Sequence, residues 1–268
     1  MKFWLTHAPH IVGRQEDEMQ HPNPLEKPED LLARARSVSS DTAGVLITSL
    51  REARSRRILE LGCGDGTITA LLHEAGFDVT GLDPSAEALA RARARLPSVT
   101  FIEAHAEALP ELRPFDAACF VNALHHVEPP AMTGAVLNAL SVLRPGGLLH
   151  VVEPLATGSF FRAMRPVEDE SAIRQKAVQA VESLISEGRI VLRDLRRWTR
   201  ESRFRDLEEF VDYLARVDPD RAALAQGNAA ALARAWRDNI RVRDGKAVLV
   251  QPLVCWTLAR AEDSGGRP

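Results

Sequence analysis

Between Glu60 and Gly66 the chain reads E-L-G-C-G-D-G, with glycines at 62, 64 and 66. The residues that lead into it, R-I-L-E-L-G (57–62), have the apolar character of a buried strand, and G-T-I-T-A-L-L-H-E-A (66–75) has helical spacing. A strand that turns through glycines into a helix opens a βαβ unit. Glycine lets the backbone turn tightly and approach a ligand with no Cβ in the way. The helix start presents unpaired N–H groups to a negatively charged group. F-D-V-T-G-L-D (77–83) completes the unit as a second strand and ends in Asp83. That carboxylate sits at the sheet's carboxyl edge, where it can accept hydrogen bonds from both hydroxyls of a ribose.

The same alternation continues. S-A-E-A-L-A-R-A-R-A-R-L (85–96) is an amphipathic helix opened by a Ser cap, and V-T-F-I-E-A (99–104) is a third strand. F-D-A-A-C-F-V (115–121) and G-L-L-H-V-V-E (147–153) are a fourth and a fifth, separated by a helix over about 130–143 that stops at R-P-G-G. This rhythm predicts an α/β fold with a parallel sheet covered on both faces. An extended arm over 7–30 leads into one helix over about 29–53. After Glu153 the expectation is a helical stretch over 159–188, a strand over 190–198, two helices over 206–239 and a final strand over 247–259. An Asp244-Gly245 hairpin signal precedes that strand, and the last residues are expected to be disordered. The chain is thus expected to be one domain over 1–268. Its parts are an arm and helix (1–56), a ligand-binding core (57–154), a helical cap and substrate region with one strand (155–240), a final strand (241–260) and a tail (261–268).

Composition narrows the function. A net charge of −3 gives no global pull toward nucleic acid or an anionic membrane, and aromatics at 5% with one Tyr argue against stacking platforms for single strands. Cys63, Cys119 and Cys255 are odd in number and lie in apolar runs, so a reducing compartment is expected. The first ten residues offer too little for a signal peptide, and no apolar run is long enough for a membrane span. The expectation is a cytoplasmic monomer or homodimer acting on a small molecule.

Dinucleotide enzymes use G-x-G-x-x-G. Here the spacing is G-x-G-x-G, with Glu60 two residues before the first glycine. A carboxylate there repels a pyrophosphate but can hold an ammonium group, which favours a ligand with an amino-acid end. With these stretches the sequence resembles the class I S-adenosylmethionine-dependent methyltransferases, in L-E-L-G-C-G-D-G-T (59–67), L-D-P-S (82–85), A-E-A-L-P (106–110), F-D-A-A-C-F-V-N-A-L-H-H-V (115–127) and L-R-P-G-G-L-L (143–149). It looks most like the branch that methylates small molecules. The resemblance implies a doubly wound, mostly parallel seven-stranded sheet, Rossmann-like, with an antiparallel last strand. It implies S-adenosylmethionine as cofactor, with Glu60 and the backbone of Gly62, Cys63, Gly64 and Gly66 beside its methionine part, Asp83 on the ribose and Pro84 near the adenine. Ala106 and Glu107 approach the adenine, and the backbone around Asn122 lines the cofactor floor. His105 stands where many relatives have an Asp that accepts from the adenine amino group; a neutral His accepts through one ring nitrogen.

For the chemistry itself, methyl transfer depends mostly on near-attack positioning, with a base required only where the acceptor loses a proton. His125 and His126 follow the fourth strand at the carboxyl edge and are the candidate bases, His125 preferred; ordinary packing of the loop is the competing reading. No metal site is expected, because His125-His126-x-Glu128 lacks further ligands at a useful spacing. Glu153 ends the fifth strand at the same rim, as a substrate contact or a cap, and Asp116 at the opposite edge is structural. R-D-L-R-R-W-T-R-E-S-R-F-R (193–205) binds an anionic acceptor or forms a solvated face. Trp4, Phe160, Phe161, Met164 and Trp198 are candidates for the acceptor pocket. The rival readings are a catalytically inactive cofactor-binding subunit and an NAD(P)-dependent oxidoreductase.

Overall fold

The computed structural model describes residues 28–39 and 41–261. The expected arm over 7–27, Trp4 and the tail from 262 lie outside the described residues. Strand β2 (Arg57–Leu61), helix α3 (Thr67–Glu74) and strand β3 (Asp78–Asp83) form the βαβ unit, and β2 pairs with β3 in parallel. Helix α4 (Ala86–Arg95) follows, with the Ser85 side chain accepting from the Ala88 N–H, and leads to β4 (Thr100–Glu103). Strand β5 (Phe115–Val121), helix α5 (Met132–Ser141) and strand β6 (Leu143–Pro154) continue on the other side of β2. The strand order is β1-β7-β9-β6-β5-β2-β3-β4, so the direction of winding reverses between β2 and β5. Such a switch point leaves a crevice outside the carboxyl ends of the two strands.

The sheet has nine strands among the described residues, rather than seven. Seven carry the expected pattern; the additional two are short, β1 (Arg36–Ser37) and β8 (Arg241–Arg243). Strand β9 (Lys246–Arg260) is antiparallel to β6, to β7 (Ile190–Phe204) and to β8. Asp244 and Gly245, both at positive φ, make the β8–β9 hairpin turn.

Four other expectations change. The single helix over 29–53 is two, α1 (Pro28–Ala33) and α2 (Thr42–Glu52), with β1 between them. Arg36 is held by Asp194 of β7 at 2.6 Å, and Asp41 starts α2 by accepting from the Gly44 N–H at 2.6 Å. R-P-G-G lies within β6 rather than ending α5, because the β5–β6 register shifts between Phe115 and Ala117. The stretch over 159–188 is α6 (Gly158–Met164) and α7 (Ser171–Ser186), parted by a turn in which Asp169 accepts from Ser171. The stretch over 206–239 is three helices, α8 (Leu207–Val217), α9 (Asp220–Gly227) and α10 (Ala229–Asn239).

Two cores flank the sheet. Val45, Leu46 and Leu50 of α2 and Leu72 of α3 pack with Ile58, Val79 and Cys119 on one face. Val136 and Leu140 of α5 and Val181 and Leu184 of α7 pack with Leu59, Phe120 and Trp256 on the other. Asp116, at the amino edge, accepts from the N–H groups of Arg56 and Arg57 and pairs with Arg144; it is structural, as its position suggests.

A third core belongs to the cap. The last β6–β9 pair is Pro154 with Leu253, whereas the β7–β9 ladder continues to Phe204 with Ala247. The ladder therefore overhangs the carboxyl edge, and α6, α8, α9 and α10 pack around it through Phe160, Phe204, Phe210, Leu214, Trp236 and Leu249. Phe204 meets Phe210 and Trp236 edge-on at 5.2 and 6.1 Å. Where α6 crosses the overhang, Gly158 has φ +91, and a Cβ there would strike Pro252 and stand 2.6 Å from the Val250 carbonyl oxygen. Gly158→Ala is expected to cost about 1–3 kcal/mol from backbone strain and overpacking, read as a lower midpoint in urea unfolding.

Candidate functional site

The glycine loop is shaped by its neighbours. Gly62, Gly64 and Gly66 all adopt left-handed φ, at +71, +53 and +78. The N–H groups of Gly62 and Cys63 donate to the Leu82 carbonyl at 2.7 and 3.1 Å, tying the loop to β3. A Cβ on Gly62 would lie 2.5 Å from that of Ala123, while one on Gly64 would meet nothing within 4 Å. The backbone thus presses on β5's loop at one end and faces open space at the other.

Two carboxylates stand at this loop. Asp83 accepts from the Gly64 N–H at 2.8 Å and from the Ser85 N–H at 2.9 Å. Glu60 is buried and accepts from the Thr69 hydroxyl at 2.5 Å. Burial pushes its carboxyl up to about 8; the Thr69 hydrogen bond opposes this, and the charges of Asp83 and Asp65 add to it. Cys63 is buried beside them, where burial pushes its thiol up, so it acts as a packing group. Beyond the switch point, Asn122 is held at φ +53 with its N–H on the Val152 carbonyl, and its buried Oδ1 has no hydrogen-bond partner among the described residues. On the β4 side, Asn138 donates to the Glu107 and Ala106 carbonyls, Ala106 is buried, and Pro84 is exposed. His105 is exposed too, its Nδ1 3.5 Å from Glu107.

A donor set of carboxylates and an open backbone curve fits a ligand that brings an ammonium group and hydroxyls. It does not fit a pyrophosphate, because Asp65 would repel it and the buried Glu60 carboxyl, ionised or not, brings no counter-charge.

The cap closes a second space beside Asn122. This cavity, of about 130 Å³, is lined by His125, Phe160, Arg174 and Arg200 among others. His125 is buried, and its Nδ1 lies 2.5 Å from Glu153, whose other oxygen accepts from the Leu124 N–H at 2.9 Å. Burial opposes the imidazolium, but the charge and hydrogen bond of Glu153 outweigh it and raise the His125 pKa above 6.5. With Nδ1 engaged, Nε2 is the nitrogen left for the cavity. His126 lies beside it with ring centroids 4.2 Å apart and the planes tilted by 40°; it lines the cavity too, exposed and with no carboxylate bonded to it. Glu170 receives hydrogen bonds from Arg174 at 2.8 Å and from Arg221 at 2.7 Å. Of the apolar candidates, Phe160 and Met164 line this cavity; Phe161 lies under the Arg174 guanidinium, and Trp198 lines a separate groove with Ser37 and Pro252. Glu170, Arg174, Arg221 and Gln251 carried no sequence signal, since each reads as an ordinary charged or polar residue of a helix or strand. Among the described residues no group of three or more His, Cys, Asp or Glu is placed to hold a metal ion, and no helix is long and apolar enough to cross a membrane.

Residues 58–147 match the family described as "Methyltransferase domain". The matched stretch runs from β2 to the glycine turn of β6 and makes up about a third of the chain. The chain is 33% identical over 108 residues to an uncharacterized methyltransferase of Synechocystis, covering 40% of this chain and 51% of that protein. It is 34% identical over 109 residues to the malonyl-[acyl-carrier protein] O-methyltransferase of Enterobacter lignolyticus, covering 40% and 43%. The chain thus spans about half, or less, of the length of these curated relatives. The YcgJ protein of Bacillus subtilis shares the fold at 18% identity with a TM-score of 0.59, covering 81% of this chain and 97% of that one. Within this stretch the glycine loop, Asp83 and Asn122 border one crevice, and the cavity around His125 adjoins it through Asn122.

The His125–Glu153 pair sets a pH dependence of stability. A histidine whose pKa rises on folding stabilises most below its unfolded value of about 6.5, and that contribution is lost as pH climbs through the raised value. Thermal melts of the ligand-free protein between pH 5 and 9 are expected to show this loss in the wild type. His125→Gln is expected to remove the histidine's part of this loss and to leave the part that the raised Glu60 carboxyl contributes over the same range.

Proposed function

We propose that the chain transfers a methyl group from S-adenosylmethionine to an oxygen or nitrogen of a small-molecule acceptor held in the cavity above His125. The observation that carries the reading is the buried His125–Glu153 pair on the wall of a cavity that adjoins the glycine-loop crevice. The likeness to an O-methyltransferase supports oxygen as the acceptor atom. When bound, S-adenosylmethionine supplies an electrophilic methyl group on a sulfonium.

Glu60 would hold the ammonium end, Asp83 the ribose hydroxyls and the Gly62–Gly66 backbone the length between them. Asp83 is already fixed by two backbone N–H groups, so ordering it for a ligand costs little further entropy. Asn122 Oδ1 offers an acceptor at the boundary of the two spaces. His125 Nε2 takes the proton of the acceptor's hydroxyl or amine, and Glu153 holds the resulting imidazolium in place. The cap helices exclude water from this transfer. His126, exposed at the mouth, serves the rim rather than the proton.

Calorimetric titration separates this reading from its rivals. S-adenosylmethionine and its demethylated product are expected to bind, and NADH is not; NADH binding without either sulfur ligand would overturn the proposal. Near pH 7 an incoming ammonium should expel the proton of Glu60, whose pKa near 8 keeps it mostly neutral there. Titrations in buffers of differing ionisation enthalpy should therefore show proton release in the wild type and none in Glu60→Gln. For transfer to a panel of hydroxyl and amine acceptors, His125→Ala is expected to lower kcat by about 10²–10⁴. The wild-type acidic limb should lie above pH 6.5, because Glu153 raises the His125 pKa; Glu153→Gln should move it downward.

A further inference from the structure

The fold ties four arginines of the run over 193–205 and leaves the side chains of two, Arg193 and Arg200, without a hydrogen bond or ion pair among the described residues; of these two, Arg200 lines the cavity. Arg196 bonds Asp194 and Glu52, Arg203 bonds Glu201, and Arg205 bonds Glu209. Arg197 donates to the Ser37 hydroxyl. Arg200 has no carboxylate partner among the described residues, and it lines the cavity of His125. Its guanidinium lies 5.6 Å over the Phe160 ring, and its Nε is buried with no hydrogen-bond partner in that set. The side chain as a whole is half-buried, but an N–H shut off from water without an acceptor is costly, and a ligand in the cavity can supply that acceptor.

The surrounding charges say what kind of ligand. Arg174 and Arg221 also face the cavity, but Glu170 neutralises one and Glu168, bonded to Arg221 at 2.6 Å, the other. His125 and Glu153 together form a neutral unit when the histidine is protonated. When His125 gives up that proton to act as base, the pair carries one negative charge; Arg200 is the cavity-lining arginine that no carboxylate of the described residues pairs. Its neighbour across the ladder, Gln251, is spent on the Leu155 and Thr157 carbonyls and on Arg174, so it does not compete for that charge. One unpaired, half-buried guanidinium favours a monoanion; a dianion would bring one negative charge more than it can pair.

The geometry points to Arg200 as the anchor of a carboxylate on the acceptor. The inference rests on the methyl-transfer reading, and it adds that the substrate is a carboxylic acid whose second group, a hydroxyl or amine, meets His125. The planar guanidinium, 5.6 Å over the Phe160 ring, suits the planar carboxylate in a two-point contact.

The test uses the smallest probes, so that it does not depend on knowing the acceptor. The full chain is titrated with acetate, acetamide and inorganic phosphate while the arginine Nε–H signals are followed by NMR, the Arg200 signal being the one lost in Arg200→Gln. Acetate is expected to shift that signal and to bind at least tenfold more weakly to Arg200→Gln, with Arg200→Lys in between; acetamide should leave it unmoved. An unmoved signal with acetate, or equal acetate binding by wild type and Arg200→Gln, would overturn the inference. Phosphate binding tenfold tighter than acetate would overturn the carboxylate assignment. Circular dichroism and melting of both variants show that they are folded, and Arg200→Lys keeps the charge if Arg200→Gln unfolds. S-adenosylmethionine titration of the wild type is a separate arm. Cofactor binding without an acetate response sinks this inference alone, while an acetate response without cofactor binding sinks the methyl-transfer reading alone.

Discussion

The antiparallel ladder between β7 and β9 runs past the end of β6, and the helical cap depends on that overhang. Six consecutive pairs, from Thr199 with Pro252 to Phe204 with Ala247, have no β6 residue beside them. Backbone hydrogen bonds keep the two strands extended there, and their side chains become the floor of a second core. Phe160, Phe210 and Trp236 bury their rings on that floor, so cap helices too short to be stable alone fold by packing against it. Because the overhang starts at the carboxyl edge, the cap stands over the crevice that the switch point opens.

The inner surface of this cap is unusually charged for a buried place. Glu170 is the hub: Arg174 and Arg221 each reach one of its oxygens, and Arg174 also reaches the Leu155 carbonyl and Gln251. Burial opposes the ionised Glu170, yet Arg174, His125 and Arg221 hold its carboxyl below the ordinary range. A network of this kind is worth its desolvation only when nearly every donor finds an acceptor. Arg200 is the member left incomplete, on the wall that a substrate would meet. Glu60 is the parallel case in the crevice, a buried carboxyl with carboxylate neighbours and no cation, at the place where a ligand's ammonium would complete it.

Much of the ligand-binding half was legible from local rules. The alternation in 115–121 gave a strand with those same limits, and Ser85 capped the helix it precedes. The break at β1 was not legible, because Arg36 is fixed by Asp194, 158 residues away. Glu153 and His125 were both visible as rim residues. Their union was not, since it depends on how β6 sits beside β5 after the register shift at Phe115. The run of six arginines looked uniform along the chain, and only their partners distinguish them.

The sequence by itself determined the glycine loop, the acids at its two ends, the strand–helix alternation and hence the doubly wound α/β fold. These follow from backbone conformations and apolar periods that a few neighbouring residues set. The tertiary structure decided which charges are spent and which are free. Glu170, Arg174, Arg200, Arg221 and Gln251 come from four different elements, and their meeting depends on ladder register and helix packing. Interactions between such distant side chains leave no periodicity in the chain, so Arg200 gains its distinct role only when the cap has closed around it.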